Sequence, residues 1–328
     1  MERNRQQIVG PSRRDLLKQT GLAAALLAAG GSVESASSLG SSSGERKRAL
    51  RIAHLSDIHV KPENGAAEGM TACLRHAQEH YRPELILNTG DSIWDSLAAE
   101  EERVRSLWEL SMKVWKTECG VPVEHAIGNH DIWGVNKARA KTTGNEPLYG
   151  KKWVMSLHGW ERPYRSFDRA GWHFIALDSA AIRDEGYIGH IDDEQFEWLK
   201  DDLARVDART PVLVFCHIPL FSAAAFFKGK NETTGQWVVP APVMCVDARR
   251  IKDLFHKHPN VKLCLSGHLH LVDRVDYLGV SYICGGAVCG GWWRGNNQEF
   301  EPGYNVVDLY TDGSFEHRYV PYGWKPKT

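Results

Sequence analysis

Short apolar runs alternate with segments of helical periodicity from residue 50 onwards. Five of the runs are bounded by turn residues and predict buried strands. They span 50–55, 85–87, 121–127, 212–216 and 261–265. Four segments have apolar positions spaced three and four apart and predict helices. These cover 69–81, 100–116, 192–203 and 248–256. The alternation predicts an α/β fold in which helices flank sheets.

The remaining segments are less regular. Residues 164–167 and 172–178 predict a hairpin around the turn Asp168-Arg169-Ala170-Gly171, and residues 269–328 predict short strands. Neither an internal repeat nor a second linker interrupts residues 46–328. We therefore expect this stretch to form one domain.

The composition is that of an ordinary globular protein. The chain has 328 residues, of which 42% are apolar and 25% are charged, and its formal net charge is -1. Because the charges are balanced and Lys and Arg form no stripe, we expect no nucleic acid among its partners.

The start of the chain differs from the rest. A basic run from Ser12 to Lys18, which contains Arg13-Arg14, precedes an apolar run from Gly21 to Ala29 that is too short to span a bilayer. This order resembles a twin-arginine export signal, although Leu16 stands where Phe is commoner. We therefore expect the twin-arginine export machinery as a partner. The mature protein would be periplasmic or extracellular, with no transmembrane span.

A Ser/Gly-rich linker follows the apolar run, from Ser32 to Ser43, and it has no means of forming a core. Residues 1–45 are therefore predicted to be signal and linker, with cleavage near Ala36.

Seven cysteines cannot all pair within one chain. Cys216, Cys264 and Cys284 lie in apolar runs of strand type, where cysteine acts as a small buried hydrophobic residue. No CxxC spacing of the zinc-binding kind is present. Since twin-arginine substrates fold in a reducing compartment, we expect mostly free thiols.

Side chains that can bind metals follow the predicted strand ends. The tetrapeptide Gly128-Asn129-His130-Asp131 places an amide, an imidazole and a carboxylate directly after the strand at 121–127. Comparable positions after other strands carry Asp57, His59, Asp91, His217, His268 and His270. Because open α/β sheets keep their active sites at the carboxyl ends of strands, we expect these side chains to converge.

Two pairs, Asp57 with His59 and His268 with His270, are each spaced two residues apart. In an extended segment such residues point the same way, while the residue between them faces the core. The predicted oxygen and nitrogen donors then number seven. That is too many for one transition-metal ion but suits two ions that share a bridging carboxylate.

Each motif alone has a simpler interpretation. An Asp-x-His pair can cap a helix, and a buried His can satisfy its hydrogen bonds within the core. Five polar clusters at five strand ends would, however, bury several unpaired polar groups at a high cost in free energy. The combination therefore favours a metal site.

Together the motifs resemble those of the calcineurin-like metallophosphoesterases. Five blocks appear in order between Arg51 and Asp273: Asp57-x-His59, Gly90-Asp91, Gly128-Asn129-His130-Asp131, His217 and Gly267-His268-x-His270. The resemblance implies a four-layer α-β-β-α sandwich of two mixed sheets flanked by helices. It also implies a dinuclear centre that takes Mn, Fe or Zn.

The same resemblance implies how the ligands divide. One ion would be held by Asp57, His59, Asp91 and His270. The other would be held by Asp91, Asn129, His217 and His268. Asp91 would therefore bridge the two ions, and His130 would be no ligand.

Two residues depart from particular branches of that family. Purple acid phosphatases place a tyrosine ligand three residues after the bridging Asp, whereas this chain has Trp94, whose indole only donates. Cyclic-nucleotide phosphodiesterases commonly place Arg two residues after the Asp of the Gly-Asn-His-Asp block, whereas this chain has Trp133. A purple iron centre is therefore not expected, and cyclic-nucleotide hydrolysis is an alternative.

These residues predict an exported, metal-dependent hydrolase that cleaves small-molecule phosphomono- or phosphodiesters with a metal-activated water. His130, oriented by Asp131, is the expected general acid. A non-catalytic scaffold for protein binding would be expected to lose ligands or this pair, and a metal-storage protein needs no general acid. The chain keeps both features.

Several aromatic segments lie outside the five blocks. Trp133, Phe226-Phe227-Lys228, Trp237 and Trp292-Trp293-Arg294 are either packing residues of long loops or a stacking surface for a base, sugar or lipid head group. For the second alternative, Trp133, Trp292, Trp293 and Arg294 are the predicted substrate lip.

Overall fold

The computed structural model of the protein describes residues 46–326. The signal and linker predicted for residues 1–45 lie outside the described residues. The strands are β1 Arg48–Leu55, β2 Leu85–Asn88, β3 Val123–His125, β4 Arg165–Arg169, β5 Trp172–Ala176, β6 Ala180–Arg183, β7 Gly186–Gly189, β8 Val212–Phe215, β9 Val261–Ser266, β10 Val272–Tyr277, β11 Val280–Gly285, β12 Gly303–Tyr310 and β13 Phe315–Pro321.

The helices lie mainly between the parallel strands. They are α1 Ala66–His80, α2 Glu101–Glu118, α3 Lys137–Ala140, α4 Lys152–His158, α5 Asp193–Arg205, α6 Asn231–Thr234 and α7 Ala248–His256. Two 3-10 turns, Asn129–Asp131 and Ala224–Lys228, complete the regular structure of the described residues. None of the helices within 46–326 has the length and apolar character needed to cross a membrane.

Two large mixed sheets form the centre of the protein. The first has the order β13-β12-β1-β2-β3, in which β1, β2 and β3 are parallel and β12 runs antiparallel to β1. The second has the order β10-β11-β9-β8-β5-β4, with four parallel strands between antiparallel edges. The hairpin β6-β7 is separate. The prediction of a mixed α/β fold with two mixed sheets is confirmed.

Alternation along the strands assigns each face to a different layer. In β1, Leu50 and Ile52 pack in a core that also contains Phe174 of β5 and Phe215 of β8, so this core fills the space between the sheets. Ala53 of the same strand belongs instead to the core that includes the helices. Consecutive right-handed crossovers place α1 and α2 on the outer face of the first sheet, and α5 and α7 on that of the second. The four layers follow from this arrangement.

Most predicted elements lie where the apolar pattern indicates them, and α7 covers the predicted range 248–256. The third strand is shorter than predicted: β3 covers only Val123–His125 at the edge of its sheet, and the apolar residues Ala126 and Ile127 are buried beyond its end. The hairpin β6-β7 and the short helices α3 and α4 were not predicted, since these segments are short and lack a clear period. All seven cysteines carry free thiols.

Gly69 of α1 lies against the ring of Trp293, which is 1% exposed. A methyl group at Gly69 would lie 2.1 Å from Trp293 Cζ3 and 2.8 Å from Trp324 Nε1. Gly69→Ala gains about 0.5–1 kcal/mol of helix propensity but overpacks the site by about 1–3 kcal/mol. We therefore predict a lower free energy of unfolding in urea. A variant as stable as the wild type would contradict this packing.

Candidate metal centre

Five loops at the carboxyl ends of parallel strands meet at one place. They follow β1, β2, β3, β8 and β9. The seven predicted ligands lie on them: Asp57, His59, Asp91, Asn129, His217, His268 and His270. Six of the seven are buried, at 6% exposure or less, and His268 is half-buried. We call these seven residues the candidate metal centre.

The backbone of these loops is not extended. Asp57, His59, Asp91, His268 and His270 all have positive φ angles, from 47° to 71°. The expectation that extended segments aim the paired ligands is therefore wrong, although each pair does converge. Left-handed non-glycine residues cost free energy, and a cluster of them is typical of a functional site.

The residues between the paired ligands anchor the loops. Ile58 and Leu269 are 0% and 2% exposed and pack in the cores, as predicted. Apolar contacts of Ile58 and Leu269 with the cores therefore anchor the loops, while the ligand side chains face one another.

The first group of donors surrounds His59. Its Nε2 atom lies 3.2 Å from His270 Nε2, 3.4 Å from Asp91 Oδ2 and 3.8 Å from Asp57 Oδ1. His270 Nε2 lies 3.2 Å from the same Asp57 oxygen. Two imidazoles and two carboxylates thus enclose one small volume.

The second group surrounds His217. Its Nε2 atom lies 3.0 Å from Asn129 Oδ1, 3.2 Å from Asp91 Oδ2 and 3.2 Å from His268 Nδ1. Asp91 Oδ2 therefore contacts both groups. This is the position that a carboxylate bridging two cations requires.

Hydrogen bonds on the far sides of the imidazoles fix which nitrogens face inward as acceptors. The Nδ1 atoms of His217 and His270 donate to the carbonyls of Thr89 and Gly290, at 2.9 and 2.8 Å. A carbonyl only accepts, so each neutral ring presents an unprotonated Nε2 to the centre. Such backbone partners are typical of metal-binding His.

A cation would satisfy the inward-facing atoms. His59 and His270 bring Nε2 atoms within 3.2 Å of each other, and Asp57 Oδ1 is buried without a hydrogen-bond partner. Acceptors that face one another in a buried site repel unless a positive charge lies between them. The donor set, imidazoles with carboxylates and one amide, fits Mn, Fe or Zn.

The charges at the centre stabilise one another. Burial opposes ionisation of Asp57 and Asp91, yet His270 and His217 hold the pKa values of these two carboxyl groups well below the usual range. Burial also disfavours a charged His217, but the Asp91 carboxylate raises the pKa of that imidazole to about 9. The two carboxylates therefore stay ionised and attract positive charge.

Two glycines allow the loops to approach the carboxylates. A Cβ at Gly128 would lie 2.1 Å from both the amide nitrogen and Oδ1 of Asp91. A Cβ at Gly267 would lie 1.7 Å from Ser56 Oγ and 2.4 Å from Asp57 Oδ2. These motif glycines are required by close packing around the carboxylates rather than by their φ angles.

A sequence profile of the family described as calcineurin-like phosphoesterase matches residues 50–272. The chain belongs to this family. The matched region contains the whole candidate metal centre, and the enzyme class is therefore a hydrolase of phosphoesters.

Two curated relatives and one solved structure are similar to this phosphoesterase over more than half of its length. A 3′,5′-cyclic-nucleotide phosphodiesterase from Nostoc sp. is 24% identical over 292 residues, covering 84% of this chain and 94% of its own length. A probable purple acid phosphatase from Arabidopsis thaliana is 24% identical but covers 58% of this chain and 42% of its own length. A crystal structure of a dimetal phosphatase from Danio rerio superposes with a TM-score of 0.57 at 15% identity, covering 84% of this chain and 100% of that one.

Asp131 has a different role in this phosphoesterase from the one predicted. Its carboxylate accepts hydrogen bonds from the backbone N–H groups of Gly128, Asp91 and Ser92, at 2.9, 3.0 and 2.9 Å. Burial and the neighbouring Asp91 raise its pKa to about 7. The 3-10 turn directs Asp131 inward, so it holds the loop of Asp91 in place and does not orient His130.

The carboxylate beside His130 is Asp95. The distance from His130 Nδ1 to Asp95 Oδ1 is 3.5 Å, within ion-pair range. A ring nitrogen of His130 also lies within 4.8 Å of the ligand atoms of His59 and Asp91. Burial disfavours the imidazolium, but Asp91 and Asp95 raise the pKa of His130 above its ordinary value. His130 therefore borders the centre and carries a proton readily.

One thiol was not anticipated near the centre. Cys289 Sγ lies 3.8 Å from His270 Nδ1, on the loop after β11. Cys216, which precedes the ligand His217 in the sequence, points elsewhere, to the carbonyl of Ile218 at 3.3 Å. No motif spacing connects Cys289 to the five blocks, so the sequence carried no signal for it.

The structure corrects the predicted aromatic lip at two positions. Trp133 and Trp293 are 2% and 1% exposed, and their indole N–H groups donate to the carbonyls of Ala99 and His59. Both rings are packing residues beneath the site. The Trp293 bond supports the backbone of the ligand His59 directly.

Trp292 does lie at the site. Its ring centroid is 4.2 Å from that of His59 and 4.8 Å from that of His270. Trp94 contacts Trp292 edge-on at 5.2 Å. Trp292 and Trp293 both have left-handed φ angles, 60° and 63°, so a strained backbone places one ring outward and the next inward. Trp94 and Trp292 are called the aromatic wall below.

One residue near the candidate metal centre was not predicted, and other residues noted in the sequence are exposed or lie elsewhere. Tyr187, on the unpredicted hairpin β6-β7, has its ring 6.0 Å from that of His268. Arg294 is exposed, two residues after Trp292 of the aromatic wall in the sequence. Phe227 and Trp237 are 74% and 67% exposed on the segment after β8, and neither has a ring contact with the candidate metal centre.

Proposed function

We propose that the protein hydrolyses phosphomono- or phosphodiesters of small molecules at a dinuclear centre of Mn, Fe or Zn. The observation that carries this proposal is Asp91 Oδ2, which lies 3.4 Å from His59 Nε2 in one donor group and 3.2 Å from His217 Nε2 in the other. A single carboxylate oxygen between two donor groups is the arrangement that two cations would share.

Each donor group would hold one ion. Asp57, His59, Asp91 and His270 would hold the first. Asp91, Asn129, His217 and His268 would hold the second. When bound, two cations supply the Lewis acidity that activates water and offsets negative charge on the phosphoryl oxygens.

The protein's own residues supply the remaining steps. His130 lies beside His59 and Asp91. By its likeness to the family it would not be a ligand, and in this position its imidazolium would donate a proton to the leaving oxygen. Asp95 holds the imidazole by the ion pair at Nδ1. The aromatic wall covers the imidazoles of His59 and His270 on one side and limits the access of water there.

Hydrolysis of 3′,5′-cyclic nucleotides is the second candidate. It is favoured by the Nostoc phosphodiesterase and by a cyclic adenosine monophosphate phosphodiesterase from Escherichia coli, which match over 94% and 93% of their lengths. The aromatic wall would offer a base a surface for stacking. A substrate panel of cyclic nucleotides, p-nitrophenyl phosphate and its bis ester would separate the two candidates.

A chelation experiment tests the proposed function. Removal of metals should abolish turnover of p-nitrophenyl phosphate or its bis ester, and addition of Mn, Fe or Zn should restore it. Activity that survives thorough chelation would overturn the proposal, since the proposed reaction depends on metals to activate the water.

We also propose that the protein is exported by the twin-arginine pathway. The support is the basic pair Arg13-Arg14 followed by a short apolar run. Arg13→Lys with Arg14→Lys should leave the protein in the cytoplasm, as followed by fractionation and immunoblotting. Unchanged appearance outside the cytoplasm would point to another route.

A further inference from the structure

Lys61 lies two residues beyond His59 and is 6% exposed. Within the described residues its ammonium group forms no hydrogen bond and no ion pair. Lysine is seldom buried to this extent without an anionic partner, because its charge loses hydration. The ammonium group is therefore available to bind an anion.

The neighbour of Lys61 is the aromatic wall. Its Nζ atom lies 3.1 Å from the centroid of the Trp94 ring. Trp94 contacts Trp292, which packs over His59 at 4.2 Å. An indole face attracts a cation but offers no acceptors for the three N–H donors of an ammonium group. Lys61 is thus placed next to the candidate metal centre with unused hydrogen-bonding capacity.

The surrounding charges leave a positive excess. The charged groups around the Lys61 ammonium include Glu63, Arg103 and Arg294. Glu63 is bound by Arg103, at 2.9 and 3.1 Å, so this acid is already neutralised. Arg294 forms no side-chain hydrogen bond or ion pair within residues 46–326. Lys61 and Arg294 therefore both lack an anionic partner among the described residues.

We propose that Lys61 and Arg294 bind a second anionic group of the substrate, carried by the alcohol that leaves. The proposal rests on the proposed function and narrows its substrate class to phosphoesters whose esterified part bears a carboxylate or a further phosphoryl group. The scissile phosphoryl group would lie at the candidate metal centre, and the second anion would lie at the far side of the aromatic wall. Anionic oxygens provide the charge-assisted acceptors that the two cations lack.

A matched set of aryl phosphates tests the subsite. The substrates are 4-ethylphenyl phosphate, which is neutral beyond the phosphoryl group, and its 4-carboxymethyl and 4-phosphonomethyl counterparts. These substituents change the charge far from the scissile bond with little effect on the leaving phenol. The wild type should show a higher kcat/KM for both anionic substrates than for the neutral one, and the larger preference identifies which anion fits.

Lys61→Met should remove most of that preference. The loss of one charge-assisted contact predicts a fall of about tenfold or more in kcat/KM for the anionic substrates, with the neutral one within about twofold. Arg294→Gln, at an exposed position that does not endanger folding, should act in the same direction. Arg105→Gln is the matched control, because its guanidinium also lies over an indole, Trp153 at 5.2 Å, but is paired with Glu101. It should leave the preference unchanged.

Binding of uncleaved analogues separates this inference from the proposed function. Calorimetry with metal-loaded protein would compare benzylphosphonate with its 4-carboxymethyl derivative. Preferential binding of the charged phosphonate that Lys61→Met abolishes, without turnover of any ester, would support the subsite and refute the hydrolase. Equal losses on neutral and anionic substrates in both Lys61→Met and Arg294→Gln, or no loss on any, would overturn the subsite.

Discussion

Replacing Asp91 by Asn is expected to remove both metal binding and turnover more completely than any other single ligand change. Asp91 Oδ2 contacts His59 on one side and His217 on the other, so the substitution takes a charge from both donor groups at once. A loss of several kcal/mol of charge stabilisation corresponds to about a thousandfold or more in rate.

The fold should survive this change. Asp91 Oδ1 accepts the backbone N–H of His130 at 2.8 Å, and an Asn oxygen can still do so. Metal content by mass spectrometry and kcat/KM would be measured together. Asp202→Asn is a suitable control, because Asp202 is also buried and bonded to a His, His173 at 2.9 Å, away from the candidate metal centre. Two bound metals and a near-normal rate in Asp91→Asn would show that Asp91 is not the bridge.

Replacing His130 by Ala is expected to slow the chemical step while metal content is retained. Because His130 borders the donor groups without joining them, its loss removes the proton for the leaving oxygen. The rate should fall by about two to four orders of magnitude on an alkyl ester, whose leaving group needs protonation. The fall should be much smaller on a p-nitrophenyl ester, whose leaving group departs unaided.

Asp95 and Asp131 provide two contrasting variants for this test. Asp95→Asn should reproduce the leaving-group pattern more weakly, since Asp95 positions His130. Asp131→Asn should instead lower metal content and slow both esters alike. Its carboxylate accepts hydrogen bonds from four backbone N–H groups, and the amide nitrogen of Asn would set a donor against some of these donors. Equal losses on both esters in His130→Ala, with metals retained, would assign His130 to binding the phosphoryl group.

The positions of the ligands were predictable because they depend on the pattern of strands. Apolar runs located the strands β1, β2, β8 and β9, and parallel strands bring their carboxyl ends to one edge. A residue placed directly after such a run, as Asp91 is, is therefore close to the site whatever the details of the loop. Helix α7 was equally clear, because its apolar face repeats regularly.

The details within the loops were not predictable from neighbouring residues. His130 and Asp131 are adjacent in sequence, but the 3-10 turn sends their side chains to different partners. Asp95, Cys289 and Trp292 reach the site only through loops that are distant along the chain. The left-handed backbone at Asp57 depends likewise on tertiary packing, since local preference disfavours it. Trp133 and Trp293 are aromatic, as the residues of a substrate lip would be, but both are buried and pack in the interior.

Titration of metal-free protein with Mn²⁺ tests the central claim most directly, because it counts the ions and relates them to catalysis. Calorimetry and hydrolysis of p-nitrophenyl phosphate or its bis ester would be followed at each addition. Binding should saturate at two ions per chain, and turnover should require the second ion. Full activity at one ion per chain, or two bound ions without hydrolysis of any phosphoester, would contradict it.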